Sequence, residues 1–323
     1  MRPDLTTLAE RHRGELTGYC YRMLGSPFEA EDAVQETFLR AWRVLDRYDE
    51  SRGSARTWLY RIATGICLDM LKGARRRARA VDLGPASAPG PDIGAPLPDG
   101  AWVLPVPDGR VLPEGGDPAE IAVTRETVAL AFVAALQHLP PRQRAVLILR
   151  DVLCWRAAEV AGLLGATVAS VNSGLQRARA AMAAAGEPAG EPGAEPYRPL
   201  DEGQRRLLAR YVEAFERYDV EALVALLHED ATMSMPPFAW WLSGRADIRA
   251  ALVHSAGPCA GSRLVPTAAN GMPAFGHYLP DGDGGHRPFA LVVLEVREGR
   301  VAGLTSYLDG PRLFPLFGLP PSP

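Results

Sequence analysis

At 323 residues the chain has room for two or three domains, each with a core of its own. A net charge of −3 excludes a global basic field, so any nucleic-acid partner must be met by local charge, and 34 arginines against one lysine reflect coding bias more than chemistry. Four scattered cysteines with no Cys-x-x-Cys exclude a disulfide scaffold or a zinc site; the absence of a membrane-length apolar run and the polar opening MRPDLTTLAERHRGEL lead us to expect a cytoplasmic protein with reduced thiols, no metal and no membrane partner.

Residues 5–80 read as a helical bundle. Ser26-Pro27-Phe28-Glu29 is a capping box with proline at the first helical position, so a helix begins there. Val34, Phe38, Ala41 and Leu45 form its apolar seam, leaving Glu31, Asp32, Gln35, Glu36, Arg40 and Arg43 on other faces. Taken alone, such a mixed charged face is as well read as solvated surface. A second helix is expected over 54–72, with Leu59, Ile62, Ile66 and Met70 inward. Between 52 and 79 eight basic residues (Arg52, Arg56, Arg61, Lys72, Arg75, Arg76, Arg77, Arg79) face one acid, Asp69. That stripe fits a phosphate-tracking surface, and the interleaved Trp58 and Tyr60 offer faces for stacking unpaired bases, unless Trp58 is a core residue.

Residues 83–118 hold 16 Pro plus Gly among 36 and show no helical or strand period, which marks a linker. Its embedded WVLPVPDGRVL is too apolar for a solvated tether, so Trp102, Val103 and Leu104 are expected to dock.

In the stretch 139–182 two prolines open a helix whose run 144–153 is apolar on one face and carries its arginines elsewhere. A short helix, Ala157–Leu164, ends at Gly165, and Thr167 stands where it caps the next helix. That helix has Val171, Leu175, Ala178 and Met182 on one seam, opposite Ala169, Ser173, Gln176, Arg177 and Ala180. Small and polar residues with an arginine suit a helix lowered into a major groove, so the pair reads as a helix-turn-helix.

After a low-complexity tether, GEPAGEPGAEP at 186–196, residues 200–323 change character. A long helix over 203–227, a strand at ATMSMPP, a short helix over 244–254 and strands near 262–270, 272–279 and 287–308 make an α+β cone. The last pair is a hairpin turning at Glu298-Gly299. The tail, with Leu313, Phe314, Leu316 and Phe317, is too apolar to prefer water. An acid–base enzyme on such a cone would draw on His228, Asp230, His254, His277 or Asp309, none of which stands at a diagnostic spacing.

The wording of these segments resembles a known family. LPPRQRAVLILRDVL, the helix pair and VNSGLQRARA resemble the C-terminal promoter-reading module of extracytoplasmic-function sigma factors. AEDAVQETFLRAW is similar to that family's core-polymerase-binding helix, and ARTWLYRIATGICLDMLKGARRR to its promoter-melting, minus-ten-reading helix. The resemblance implies that Asp32, Gln35, Glu36, Phe38 and Arg40 meet the polymerase, and that Trp58, Arg61, Asp69, Arg75 and Arg76 lie near the opened strand. It also implies that Thr167, Asn172, Ser173, Gln176 and Arg177 stand at the minus-thirty-five element. Gly65 departs from the family's usual asparagine, which puts a base-specific role there in doubt. Trp102 through Asp108 resembles linkers of sigma factors that carry an extra C-terminal domain. YVEAFERYDVEALVALLHEDATMSMPP and WLSGRADIRAAL resemble the SnoaL-like, ketosteroid-isomerase-related superfamily. The terminal SYLDGPRLFPLFGLP is similar to the tail of sigma factors fused to that domain.

The expected architecture is multidomain: two all-α domains, a sigma bundle at 1–82 and a helix-turn-helix at 119–185, and a C-terminal α+β SnoaL-like cone at 200–323. The stretches 83–118 and 186–199 are linkers. The expected function is an alternative sigma factor with RNA polymerase core and promoter DNA as partners, no cofactor, no catalysis of its own, and a C-terminal regulatory module able to take a small-molecule ligand. Two other readings are a stand-alone helix-turn-helix regulator and an isomerase or cyclase fused to a DNA-binding appendage.

Overall fold

The computed structural model describes residues 5–49, 51, 53–74, 76–112, 118–184, 202–254 and 259–323. They divide into two compact units, one of residues 5–77 with 103–184, the other of 78–102 with 202–323.

The first unit is helical. Helices α1 (Leu5–Leu24), α2 (Pro27–Arg43) and α3 (Ala55–Met70) pack together around Leu16, Tyr19, Cys20, Met23, Val34, Leu59, Tyr60, Ala63 and Cys67. Ser26 caps α2 through its Oγ, which accepts from Glu29 N at 3.4 Å, and Pro27 occupies the first helical position. Ser54 caps α3 in the same way, accepting from Thr57 N at 3.2 Å. After a short α4 (Asp108–Val111) come α5 (Pro118–Val128), α6 (Leu130–Leu136) and α7 (Pro141–Leu147), which runs into a π-turn at Ile148–Val152. The helix-turn-helix is α8 (Ala157–Leu164) and α9 (Val168–Ala184). Gly165 closes α8 at φ +59, a left-handed conformation that favours glycine, and Thr167 Oγ1 accepts from Ser170 N at 3.1 Å to open α9. Val171, Leu175 and Ala178 are buried as the seam requires.

One expectation fails in this unit. The arginines of 144–153 are not all turned outward: Arg144 is 4% exposed. Its guanidinium donates to Met23 O, to Gln137 Oε1 at 2.6 Å, and to Gln137 O and Leu139 O, each at 3.2 Å. An apolar-face count cannot see this, because the carbonyls that receive the guanidinium come from the ends of other helices.

The second unit is a six-stranded sheet with order β2-β1-β6-β5-β4-β3, built from β1 (Leu227–Ser234), β2 (Trp241–Ser243), β3 (Arg263–Ala269), β4 (Met272–Pro280), β5 (His286–Arg297) and β6 (Arg300–Tyr307). Pairing is antiparallel except for β1 with β6. Helices α10 (Glu202–Glu216), α11 (Val220–Ala225) and α12 (Arg245–His254) cover one face, closing a core that includes Tyr211, Phe215, Ile248, Phe275, Val292 and Leu294. The β5–β6 hairpin turns at Glu298-Gly299, both at positive φ. The tail lies on the opposite face, since neighbouring strand residues point to opposite sides. Phe314 meets Tyr278 at 4.8 Å between ring centroids, and a Cβ on Gly276 would stand 2.8 Å from Leu319 Cδ1. Leu313, Phe314 and Leu316 are buried there.

The stretch 83–118 is divided between the two units. Residues up to Trp102 are held by the sheet unit: Ser87 N donates to Trp241 O at 2.7 Å, Leu97 N to Pro237 O at 2.8 Å, and Trp241 Nε1 to Gly84 O at 3.1 Å. Trp102 is buried there, whereas Val103, Val106 and Val111 are buried in the helical unit. Residues 113–117 and the tether at 186–196 lie outside the described residues.

Candidate DNA and polymerase interfaces

Three helix faces carry the proposed contacts. On α2, Asp32, Gln35 and Arg40 are exposed and Glu36 is half-exposed, its carboxylate accepting from Arg40 Nε at 2.7 Å. Phe38 is half-buried under the Arg13 guanidinium, 5.5 Å from its ring centroid, which limits what it can offer a partner. The same face holds two large apolar residues that lie off the apolar seam of α2. Leu39 is 44% and Trp42 69% exposed, and with Gln35 they fall at i, i+4 and i+7 along one stripe. The signal was present in the sequence as two large apolar residues off the apolar seam.

The basic stripe along α3 proves largely paired. Arg77 is buried against Glu29, and Arg79 forms an ion pair with Asp82 at 2.9 Å. Arg56 Nε donates to Glu15 Oε2 at 2.7 Å, and Lys72 Nζ pairs with Asp69 at 2.7 Å, which draws the Asp69 carboxyl below its ordinary value. Arg76 is exposed and bonded to His138, and Arg61 is exposed and donates to Gly162 O at 3.2 Å. Arg52 and Arg75 lie outside the described residues. Trp58 is half-buried and leans on Tyr48, 4.9 Å between centroids, so it is neither a core residue nor fully presented.

On α9 the Thr167 hydroxyl is used for capping, while Asn172, Ser173, Gln176 and Arg177 are exposed. Arg179 is held by both oxygens of Asp151, at 2.8 and 2.7 Å. Val168 is 43% exposed at the start of the helix, another apolar residue left on the outer surface.

Residues 8–77 match the family model for sigma-70 region 2, 129–182 that for sigma-70 region 4, and 208–304 that for the SnoaL-like domain. Over 324 aligned positions the chain is 45% identical to the ECF RNA polymerase sigma factor SigG of Mycobacterium tuberculosis, covering 99% of this chain and 85% of the relative. The chain belongs to the extracytoplasmic-function sigma factors. This sigma factor is also 29% identical to SigJ of M. tuberculosis over 91% of its length and 88% of the relative's. The crystal structure of M. tuberculosis SigJ shares its fold, with a TM-score of 0.61, 22% identity and coverage of 98% of this chain and 100% of that one. It is thus an alternative sigma factor of RNA polymerase with a SnoaL-like domain at its C-terminal end.

In that domain the five candidate acid–base residues do not converge. His277 is buried on β4, where its Nε2 meets Ser262 Oγ at 2.9 Å and burial pushes its pKa down to about 4. Phe215 and Phe289 stand edge-on to it at 5.0 and 5.1 Å. His228 lies half-buried on β1 beside Arg297, Asp230 and His254 are exposed, and Asp309 begins the tail, its carboxyl raised by partial burial. Among the described residues no group of histidine, cysteine, aspartate and glutamate is arranged to hold a metal ion. No helix of the described residues is long and apolar enough to cross a membrane.

Proposed function

We propose that this sigma factor docks on core polymerase through the α2 stripe of Asp32, Gln35, Glu36, Arg40, Leu39 and Trp42. It reads the minus-ten region with α3 and the residues after it, using Trp58, Arg61 and Arg76, to which the family resemblance of this segment adds Arg75. It reads the minus-thirty-five element with α9, using Asn172, Ser173, Gln176 and Arg177, with Thr167 setting the helix start. The observation that carries the assignment is the pairing of an exposed polar face on α9 with a capped, tightly turned α8, since a groove-reading helix needs a bare face and a rigid mount.

The SnoaL-like domain acts as a regulatory module and not as an enzyme. Its support is the connector: residues 78–102 lie between the two promoter-reading modules in the chain and are held by hydrogen bonds to that domain. A domain that grips the connector sets how freely those modules move. Among the described residues the neutral, buried His277 meets the Ser262 hydroxyl and two aromatic rings and no acidic or basic partner, which favours a structural role for it or a place beside an apolar small-molecule ligand.

Run-off transcription with purified core polymerase tests the whole reading. Full-length protein should initiate from a defined promoter, Arg177→Ala should lower initiation without loss of fold, and a chain ended at Gly186 should change output at matched protein levels. Equal output from the full-length and shortened chains would leave the C-terminal domain without a regulatory role.

A further inference from the structure

The outer face of α9 is built from small residues around one long polar side chain. Buried Val171, Gly174, Leu175 and Ala178 fix which way the helix is turned. At about 100° per residue, the line opposite that seam runs among Ala169, Ser173, Gln176 and Ala180, each within about 30° of it. All four are exposed. Of these, Gln176 carries the one side chain that reaches well beyond the helix surface. Ser173 and Ala180, three residues before it and four after, are short enough to let the helix settle deep in a groove.

Arginine reads guanine through a fork that meets O6 and N7 together. The two arginines of α9 are both kept from the centre of the face. The Arg179 fork is closed on Asp151: Nε donates to one carboxylate oxygen at 2.8 Å and Nη2 to the other at 2.7 Å. Arg177 is exposed but stands about 70° from the central line, towards a groove wall, where the phosphates run. Among the described residues the Gln176 carboxamide meets no partner, so both its ends are available to DNA.

A carboxamide offers one acceptor and one donor side by side. In the major groove only adenine shows the matching pair: its N6–H donates to Oε1 while Nε2–H donates to its N7. Guanine presents two acceptors, cytosine a donor, and thymine an acceptor beside a methyl group, so each can satisfy at most one end of the glutamine.

We propose that Gln176 is the specificity-determining residue of α9 and that it reads an adenine in the minus-thirty-five element. The proposal rests on the assignment of α9 to that element.

The test selects promoter fragments randomised across the minus-thirty-five window, using holoenzyme assembled from core polymerase and the full chain. The unaltered protein should prefer adenine at one position by about 5- to 150-fold over the other bases. Gln176→Ala should lose the preference at that position alone and leave the salt dependence of binding unchanged, because a neutral side chain releases no counterion. Gln176→Glu should move the preference to cytosine, whose N4 amino group donates to a carboxylate. Replacing the selected adenine by 7-deazaadenine, which lacks the N7 acceptor, should weaken the unaltered holoenzyme about fivefold and Gln176→Ala not at all. A melting curve shows whether each variant is folded, and the base-analogue arm on the unaltered protein decides if one is not. The proposal is overturned if a folded Gln176→Ala keeps the adenine or weakens every sequence equally, or if the unaltered holoenzyme ignores 7-deazaadenine at every selected position. If Asn172→Ala, Ser173→Ala and Arg177→Ala also leave affinity and selected sequence unchanged, the assignment of α9 to the element fails, and the proposal with it.

Discussion

Trp42 is the position at which the polymerase interface can be tested most sharply. A tryptophan side chain offers up to about 250 Å², so 69% exposure leaves roughly 170 Å² available to a partner. At about 25 cal/mol per Å² its complete burial is worth ~4 kcal/mol, an upper bound, because association also orders the side chain and strips water from its neighbours. Trp42→Ala should therefore weaken core binding by about 2–4 kcal/mol, a rise in Kd of roughly 30- to 900-fold. Thermal stability should barely change, since an exposed side chain off the core contributes within about 0.5 kcal/mol. Titrating fluorescently labelled sigma factor with core polymerase measures the first quantity, and a melting curve the second. Glu36→Arg, at a carboxylate already engaged by Arg40, should cost less than the tryptophan. A folded Trp42→Ala with Kd within threefold of the original would remove the apolar stripe from the interface.

Three further outcomes follow from buried groups. Arg144→Met strands four carbonyl and amide oxygens that now share one guanidinium, and should cost about 4 kcal/mol in urea unfolding; a loss under about 1 kcal/mol would mean that water replaces the arginine freely. His277 is kept neutral in the fold with a pKa of about 4, against about 6.5 in the unfolded chain, so its stabilising contribution is complete above pH 6.5 and is lost as pH falls towards 4. Between pH 7 and 5 the second unit should lose about 2 kcal/mol, and His277→Phe should remove that acid sensitivity in a pH-dependent melt. A thiol reagent should find Cys154 at once, whereas Cys20 and Cys67 should stay silent until unfolding, because both are buried, and a hydrogen bond with Cys20 together with burial pushes the Cys67 thiol pKa up; fast modification of all four would contradict that packing.

Local chemistry was enough to place most elements. Ser26 with Pro27, Gly165 with Thr167, and Glu298-Gly299 mark element boundaries through caps and turns that depend on a few adjacent residues, and each sits in the structure where its sequence put it. The α9 seam was equally legible, because a period of 3.6 residues is a property of one helix alone. The α2 face was read less completely: its charges stood out, but Leu39 and Trp42 carry meaning only once their exposure is known.

Charge pairing was decided by tertiary structure. Eight basic residues in 28 looked like a free electrostatic stripe, yet Arg56 and Arg77 find their acids 41 and 48 residues away in α1 and α2. Arg144, indistinguishable in the sequence from its solvated neighbours, is buried because the end of α1 and the stretch after α6 present three carbonyls at one point. The docking of residues 84–97 on Pro237 and Trp241, and the meeting of Tyr60 with Trp155, likewise join positions roughly a hundred residues or more apart. A side chain's own identity sets what it must bond, whereas the fold alone determines which distant atom comes within reach.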